Sequence, residues 1–482
     1  MSSGIVLAGT VILFLILNLI IKNIQKSALI LSAFVLQLFA YGHLNDFIRY
    51  LLLLASLIST YYLIRSKWDI SKITQIANIF SLGLVVVTIA NIFISKLSET
   101  TVVNHNIYRP EMITPISNEN SKNDLPDIYY LVLDGYGRSD ILQQLYSYNN
   151  SEFIHFLRQR GFQIAEQSRS NYCQTLLSLS STLNMIYLDE LASEIGVESE
   201  DRKPLMDLIK HNYVFDFLKQ YNYNIFAFAS GYSGTEIRNA DYFLSPGLSL
   251  NEFENALINY TPIPKFIQKF PLINQHSIHR ELVNFSFDKL ANLPVSESPK
   301  MVMAHIVSPH PPFVFGSQGE ELDNNRPFKF FDGSHYMELE GASRAEYIEK
   351  YSNQIHYISN LVKKLINTIL SQPGPKPIII IQGDHGPGSL LDWESLENTY
   401  TSERLSILNA YYLPDSDSTL IYDGITPVNS FRTIFNHYFG TNFELLEDKS
   451  FYTKWNLPYR FYDVTDSMNL DIRPQIMNEP GL

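Results

Sequence analysis

Asp127-Ile-Tyr-Tyr-Leu-Val-Leu-Asp134-Gly135-Tyr136-Gly137 is the stretch on which the fold turns. Six consecutive apolar or aromatic residues with no polar alternation describe a strand buried on both faces, and Asp134-Gly135 ends it in a loop. The same grammar recurs outward from there. Residues 151–161 (SEFIHFLRQRG) have helical spacing and a glycine stop, and residues 162–165 resume as a strand. Residues 213–219 are helical and precede a strand at 223–228. Downstream come an apolar strand at 301–307, a long amphipathic helix at 347–371, a strand at 377–382 (PIIIIQ) and a further strand at 405–413. Fully apolar strands alternating with helices predict an α/β domain with a central, mainly parallel sheet flanked by helices. Residues 188–299 are less patterned and are expected to hold an inserted helical region.

The chain has 482 residues, one cysteine, a formal net charge of −13 and 45% hydrophobic residues. A single cysteine excludes an intramolecular disulfide framework and a zinc site built from several thiolates. The acidic balance argues against nucleic acid as a partner, which would require a basic face. Charge is unevenly spread. Residues 1–100 carry seven Lys/Arg and three acids, whereas the remainder holds 29 bases and 46 acids. The basic segment contains four apolar stretches, at 4–21, 28–41, 47–64 and 73–94, which predict about four transmembrane helices. A cleaved signal peptide fits the first poorly, because no basic region precedes it and three more stretches follow.

Lys22 and Lys26 follow the first stretch, and Arg65, Lys67 and Lys72 follow the third; the opposite side has only Arg49 and Lys96. Positive charge stays cytoplasmic, so both termini and everything after residue 95 are expected outside. The organisation expected is a transmembrane region at 1–97, a polar linker rich in Asn, Ser and Thr at 98–126, and a large exoplasmic domain at 127–482.

In open α/β sheets ligands bind beyond the carboxyl ends of the strands. Three strand ends carry reactive residues: Asp134 in LDGYGR, Asp384-His385 in IIQGDHG, and His310 in AHIVSPHPPF. Read alone, each has a plainer explanation, since Asp-Gly is a common turn and a histidine between prolines can simply pack. Together, two carboxylates and an imidazole suit one divalent cation such as Mn²⁺, Zn²⁺ or Mg²⁺. A fourth segment, SNYCQTLLSLSSTLN at 170–184, reads as a helix from Gln174 onward. Thr175 falls in its first turn, where orphan N–H groups favour an anion; the plainer reading is that Ser170, Asn171 or Thr175 only caps the helix.

The set Asp134-Gly135, Asn171-Tyr172-x-x-Thr175-x-x-Ser178-Leu179, His310-Pro-Pro-Phe313 and Gly383-Asp384-His385-Gly386 resembles the sulfatase-like branch of the alkaline phosphatase superfamily. It is most similar to bacterial membrane-anchored members related to lipoteichoic acid synthases and phosphoethanolamine transferases, over about residues 125–445. The resemblance implies Asp134, Thr175, Asp384 and His385 as ligands of one divalent metal. It implies Thr175 as a nucleophile forming a covalent intermediate, and His310 as a binder of the ester oxygens or an aid to the leaving group. The place implied is a bacterial inner membrane, and the substrate an envelope lipid or glycan. Two departures lean toward phosphoryl chemistry. Cys173 is followed by Gln174-Thr175-Leu176-Leu177, so the Cys-x-Pro/Ala-x-Arg motif that matures to formylglycine is missing, and Asp134 is followed by Gly135 where sulfatases tend to have a second acid. Residues 387–399 offer only Asp392, Glu394 and Glu397, so a single-metal site is expected.

The function expected is a metal-dependent phosphotransferase or phosphodiesterase; the alternatives are a sulfuric ester hydrolase using Thr175, or a catalytically silent envelope assembly protein. Tyr136 and Arg138 are as well explained by a loop role, Arg432 by support of the site, and His305 by burial as a satisfied histidine. The oligomeric state is not legible in the sequence.

Overall fold

The computed structural model describes residues 2–41, 46–98, 125–246, 261, 274–294, 299–322, 326–339, 341–417 and 419–466. Most of the linker expected at 98–126 and part of the 188–299 region lie outside them. The chain falls into two compact units.

The N-terminal unit contains helices Ser2–Ile21, Ile24–Ala40, Asp46–Arg65 and Ser71–Ser98, one for each apolar stretch. The second begins earlier than expected because Asn23, in an extended conformation, caps it by accepting from the Lys26 amide. Phe47–Arg65 and Ser71–Asn91 are long and apolar enough to cross a membrane; the described apolar runs Leu7–Ile21 and Ile24–Leu38 are shorter. The two longer helices expose their apolar side chains, with Leu57 at 69% and Ile79 at 72%. So extensive an apolar surface requires lipid rather than water, and marks a membrane protein. Lys26 Nζ donates to the Ser66 carbonyl at 2.6 Å, so the two basic turns occupy the same end of this unit. Arg49 Nε donates to the Tyr41 carbonyl at 2.7 Å, near the start of its own helix.

The second unit is built on a seven-stranded sheet of β1 (Ile128–Leu133), β2 (Gln163–Ile164), β3 (Asn224–Phe228), β4 (Tyr242–Leu244), β5 (Lys300–Ile306), β6 (Ile378–Gln382) and β7 (Asn409–Tyr412). The strand order is β2-β7-β6-β1-β5-β3-β4. β1 is central and parallel to both β5 and β6, with Tyr130 opposite Met303 and Ile380. β7 runs antiparallel to both of its neighbours.

The unbroken apolar reading of β1 is explained by two-sided burial. Tyr129, Leu131 and Leu133 join the core formed with Tyr351, Ile355, Ile358 and Val362 of helix Arg344–Ser371. Tyr130 points the other way and meets Phe431 of helix Pro427–Phe439 edge-on. The long helix begins at Ser343, whose hydroxyl accepts from the Glu346 amide, a start signal readable in Ser-x-x-Glu. A C-terminal hairpin, β8 (Phe451–Lys454) with β9 (Leu457–Asp463), packs Phe451 on Tyr172.

The strand read at 405–413 is β7, Asn409–Tyr412, preceded by isolated bridges at Ser406 and Ile407 and by a short helix, Thr401–Leu405. The helix buries Glu403 and Arg404, whose partners lie far away in sequence. Where described, the region after Leu188 holds the helices Asp189–Ile195, Lys203–Lys210, Tyr213–Lys219 and Gln275–Leu290 together with strands β3 and β4.

Candidate active site

Asp134 leaves the carboxyl end of β1 with its amide donating to the Ile306 carbonyl, while its own carbonyl accepts from the His310 amide, each at 3.0 Å. The loops after β1 and β5 are thereby joined. Gly135 adopts φ +75°, and its amide donates to Asp384 Oδ1 at 3.0 Å. That left-handed turn favours glycine, which accounts for its place after Asp134. The loop after β6 is held from a third direction, because the Asp384 carbonyl accepts from Ser178 Oγ at 2.7 Å and also from Ser170 Oγ.

Thr175 is the first residue of helix Thr175–Asn184. Gln174 takes the N-cap position but does not cap, since its side-chain amide donates instead to Thr453 Oγ1 at 2.8 Å. Nor do Ser170 and Asn171 cap: Asn171 braces Thr426 and accepts from the Val428 amide. The positive helix end is thus left to the cavity. Thr175 alone is partly exposed along the buried run 171–184. Its Oγ1 lies 3.1 Å from His385 Nε2.

His385 donates from Nδ1 to the Gly386 carbonyl at 2.9 Å, and a carbonyl can only accept. In the neutral ring Nε2 therefore carries the lone pair. Around it stand Arg404 Nη2 at 3.1 Å, Asp384 Oδ2 at 3.3 Å and Asp134 Oδ1 at 3.5 Å. Burial, with Arg404 adding to it, lowers the His385 pKa below the ordinary imidazole value. Burial alone would raise Asp134, but His310, His305 and His385 reverse it and hold this carboxyl well below the usual range. His310 donates from Nδ1 to the Pro311 carbonyl and turns Nε2 toward Asp332 Oδ2 at 3.7 Å.

The structure thus gathers Asp134, Thr175, His310, Asp384 and His385, the five residues expected from sequence. It adds three that sequence reasoning missed. His305 is buried and bonded at both nitrogens, yet one partner is Asp134 Oδ2 at 3.1 Å and the other Thr235 Oγ1 at 2.8 Å. The only signal in the sequence was its place near the end of an apolar strand. Asp332 and Arg404 form a buried ion pair beside His310 and His385. Asp332 accepts further from Tyr347 OH at 2.7 Å, and Arg404 Nε donates to the Cys173 carbonyl at 2.9 Å. Other candidates fall elsewhere. Tyr136 OH pairs with Ser359 Oγ at 2.8 Å, Arg138 binds Asp140, and Arg432 binds the Met185 and Glu444 carbonyls. Cys173 is fully buried against Thr453, and burial pushes its thiol pKa up.

Buried carboxylate oxygens without donors are costly. Asp134 Oδ1 and Asp384 Oδ2 are two such atoms among the described residues. Donor atoms of Asp134, His310 and His385 lie within 4.8 Å of one another, as do those of Asp134, His305 and Asp384. Hard oxygens with imidazole nitrogens, buried and unsatisfied, fit a divalent metal ion. The cavity above is lined by Thr175, His310 and Arg404, with Arg202, Tyr232, Phe330 and Trp455 on its walls.

The family model described as Sulfatase matches residues 126–424, more than half of the chain. No curated protein matches. Among solved structures, the C-terminal periplasmic domain of EcEptC from Escherichia coli is 12% identical, covering 76% of this chain and 100% of that one, with TM-score 0.45. The integral membrane lipooligosaccharide phosphoethanolamine transferase A of Neisseria meningitidis is 13% identical, covering 85% of this chain and 78% of that one, with TM-score 0.38. A Bacteroides thetaiotaomicron protein of a core genetic locus for glycosaminoglycan metabolism is 12% identical, covering 70% and 84%, with TM-score 0.39. The chain belongs to the sulfatase family, and is an enzyme of the sulfatase-like branch of the alkaline phosphatase superfamily.

Proposed function

We propose that the chain is a membrane-anchored, metal-dependent transferase or diesterase of phosphate esters, acting on an envelope lipid or glycan through Thr175. The observation that carries this reading is Thr175 Oγ1 at an uncapped helix start, 3.1 Å from His385 Nε2. Asp134, Thr175, Asp384 and His385 would hold one divalent ion, of which Mn²⁺, Zn²⁺ and Mg²⁺ are the candidates. When bound, such an ion lowers the pKa of a hydroxyl and offsets charge at the reacting ester.

The chain's own groups do the rest. Thr175 enters as the alkoxide, its hydroxyl proton having passed to solvent, and its Oγ attacks phosphorus, forming an Oγ–P bond as the bond from phosphorus to the leaving oxygen breaks. His310 Nε2, its other nitrogen tied to the Pro311 carbonyl, gives a proton to that oxygen. In the second half an acceptor alcohol or water loses its proton to His310 Nε2 and attacks phosphorus, and Thr175 Oγ departs. The amides at the start of helix Thr175–Asn184 face the anionic oxygens throughout.

Sulfate-ester hydrolysis by the same threonine is the second reading, favoured by the family match. Formylglycine chemistry is not part of it, because Cys173 is sealed in the core while Thr175 lines the cavity. The organisation we favour is a four-helix membrane region at 1–97, a linker at 98–126 and an exoplasmic catalytic domain at 127–482, placed in a bacterial inner membrane. The basic turns at one end of the helical unit support that orientation.

The test is an assay of the detergent-solubilised protein on aryl phosphodiester, phosphomonoester and sulfate esters, with Mn²⁺ and with chelator. Metal-dependent cleavage of a phosphodiester, lost by at least about 10³-fold in Thr175→Ala, is the expected outcome. Activity that survives in Thr175→Ala would remove the covalent threonine, and cleavage confined to sulfate esters would establish the second reading.

A further inference from the structure

Arg202 has no place in the reaction above, yet it lines the same cavity as Thr175. It is half-buried, and its guanidinium carbon lies 4.5 Å from the centroid of the Trp455 ring. Its hydrogen-bond acceptors are all neutral: Gln174 Oε1 at 3.3 Å, the Trp455 carbonyl and, at 3.5 Å, the Glu200 carbonyl. Among the described residues no carboxylate forms an ion pair with it, although the Glu200 side chain is near enough to be felt. The contrast is with Arg404 on the same cavity, whose charge is matched by Asp332. A half-buried guanidinium without a counterion is poised to take an anion, and burial already lowers its pKa.

Its position is fixed. Gln174, which it touches, immediately precedes Thr175 and is itself anchored to Thr453 Oγ1. On the other side Tyr459 OH donates to the Asp201 carbonyl at 2.6 Å. Guanidinium offers five donors in a planar fork, and the three contacts above leave some of them for a ligand. Tyr232, Phe330 and Trp455 supply apolar faces around it.

We propose that Arg202, backed by Trp455 and Gln174, forms a second anion subsite that takes a phosphate or carboxylate carried by the substrate beside its scissile ester. The inference rests on ester transfer at Thr175 and narrows the substrate class to esters with two anionic groups. A neutral or cationic neighbouring group gains nothing from this wall.

The test uses the full-length protein in detergent with Mn²⁺ and three 4-nitrophenyl phosphodiesters. Their second alcohol is 1,3-propanediol, its monophosphate, or 4-hydroxybutyrate. The wild type is expected to favour one of the two doubly anionic esters over the neutral one by about tenfold or more in kcat/KM, carried mainly in KM. Whichever is favoured tells phosphate from carboxylate. That ratio is expected to collapse toward one in Arg202→Gln and to return in part in Arg202→Lys. Equal kcat/KM for all three esters in the wild type, or a preference that survives Arg202→Gln, overturns the subsite and leaves ester transfer standing. If the wild type cleaves none of them, ester transfer fails on its own account. Calorimetric titration with inorganic pyrophosphate then decides the subsite: binding about tenfold weaker in Arg202→Gln supports it, and equal binding overturns it.

Discussion

His305 Nε2 stands 3.1 Å from Asp134 Oδ2, and Thr235 Oγ1 stands 2.8 Å from the other nitrogen of the same ring. Asp134 is held ionised and can only accept, so Nε2 bears the hydrogen of that contact. The chain Thr235–His305–Asp134 fixes how the carboxylate presents its remaining oxygen. Groups that orient a metal-binding carboxylate commonly contribute 10–100-fold to affinity. His305→Ala is therefore expected to weaken Mn²⁺ binding by about that factor, and Thr235→Val by less. Isothermal titration of the folded variants measures it, and unchanged affinity in His305→Ala would reduce His305 to a packing residue.

The Asp332–Arg404 pair is buried to within a few per cent exposure and shares its partners with the site. Removing one member leaves the other as an uncompensated buried charge, at a cost of about 3–5 kcal/mol. Arg404→Met is expected to lower thermal stability strongly. The double variant Arg404→Met/Asp332→Asn should recover part of the loss, because the stranded charge is gone. Melting curves of the three proteins check this, and strictly additive losses would contradict it.

Helix Gln275–Leu290 supplies a pH dependence beside the cavity, since His279 packs on Phe330 of its wall. Burial pushes both His276 and His279 down to about 4, and His279 Nε2 donates to the Val307 carbonyl at 3.0 Å. Their folded pKa values lie below the unfolded value of about 6.5, so between those limits the unfolded chain binds more protons. Stability is therefore full above about 6.5 and falls as pH drops toward 4, by at most about 1.4 kcal/mol per pH unit for each ring. The fall in melting temperature between pH 6.5 and 5 is expected to flatten in His276→Gln/His279→Gln. A slope identical to wild type would refute the assignment.

The only native cysteine, Cys173, is buried, which makes the chain suited to accessibility labelling. In intact cells Lys22→Cys and Lys67→Cys are expected to resist a membrane-impermeant maleimide, whereas exposed Glu320→Cys should react. Labelling of Lys22→Cys and Glu320→Cys from the same side would reverse the topology proposed from the basic turns.

Much of this molecule was legible in local pattern. The unbroken run of β1, the all-isoleucine core of β6 and the Ser-x-x-Glu start of the long helix each follow from periodicity or capping, which act over a few residues. So does the placement of Asp134, Asp384, His385 and Thr175 at strand ends and a helix start. The segment read as a strand at 405–413 holds β7, and the boundary of that legibility lies just before it, in helix Thr401–Leu405. There Glu403 accepts from Tyr146 across 257 positions and Arg404 pairs with Asp332 across 72, partners that no local pattern names.

The sequence by itself determined the alternation of elements, the apolar N-terminal helices and the placing of five candidate residues at strand ends and a helix start, because each depends on neighbours within a turn or two. Only the tertiary structure decided that His305 faces Asp134, 171 positions away, that Arg404 stands against His385, and that Arg202 lines the cavity with no carboxylate ion-paired to it among the described residues. Choosing a buried charge's partner is a matter of distance in space and desolvation, and neither is written in the spacing of residues along the chain.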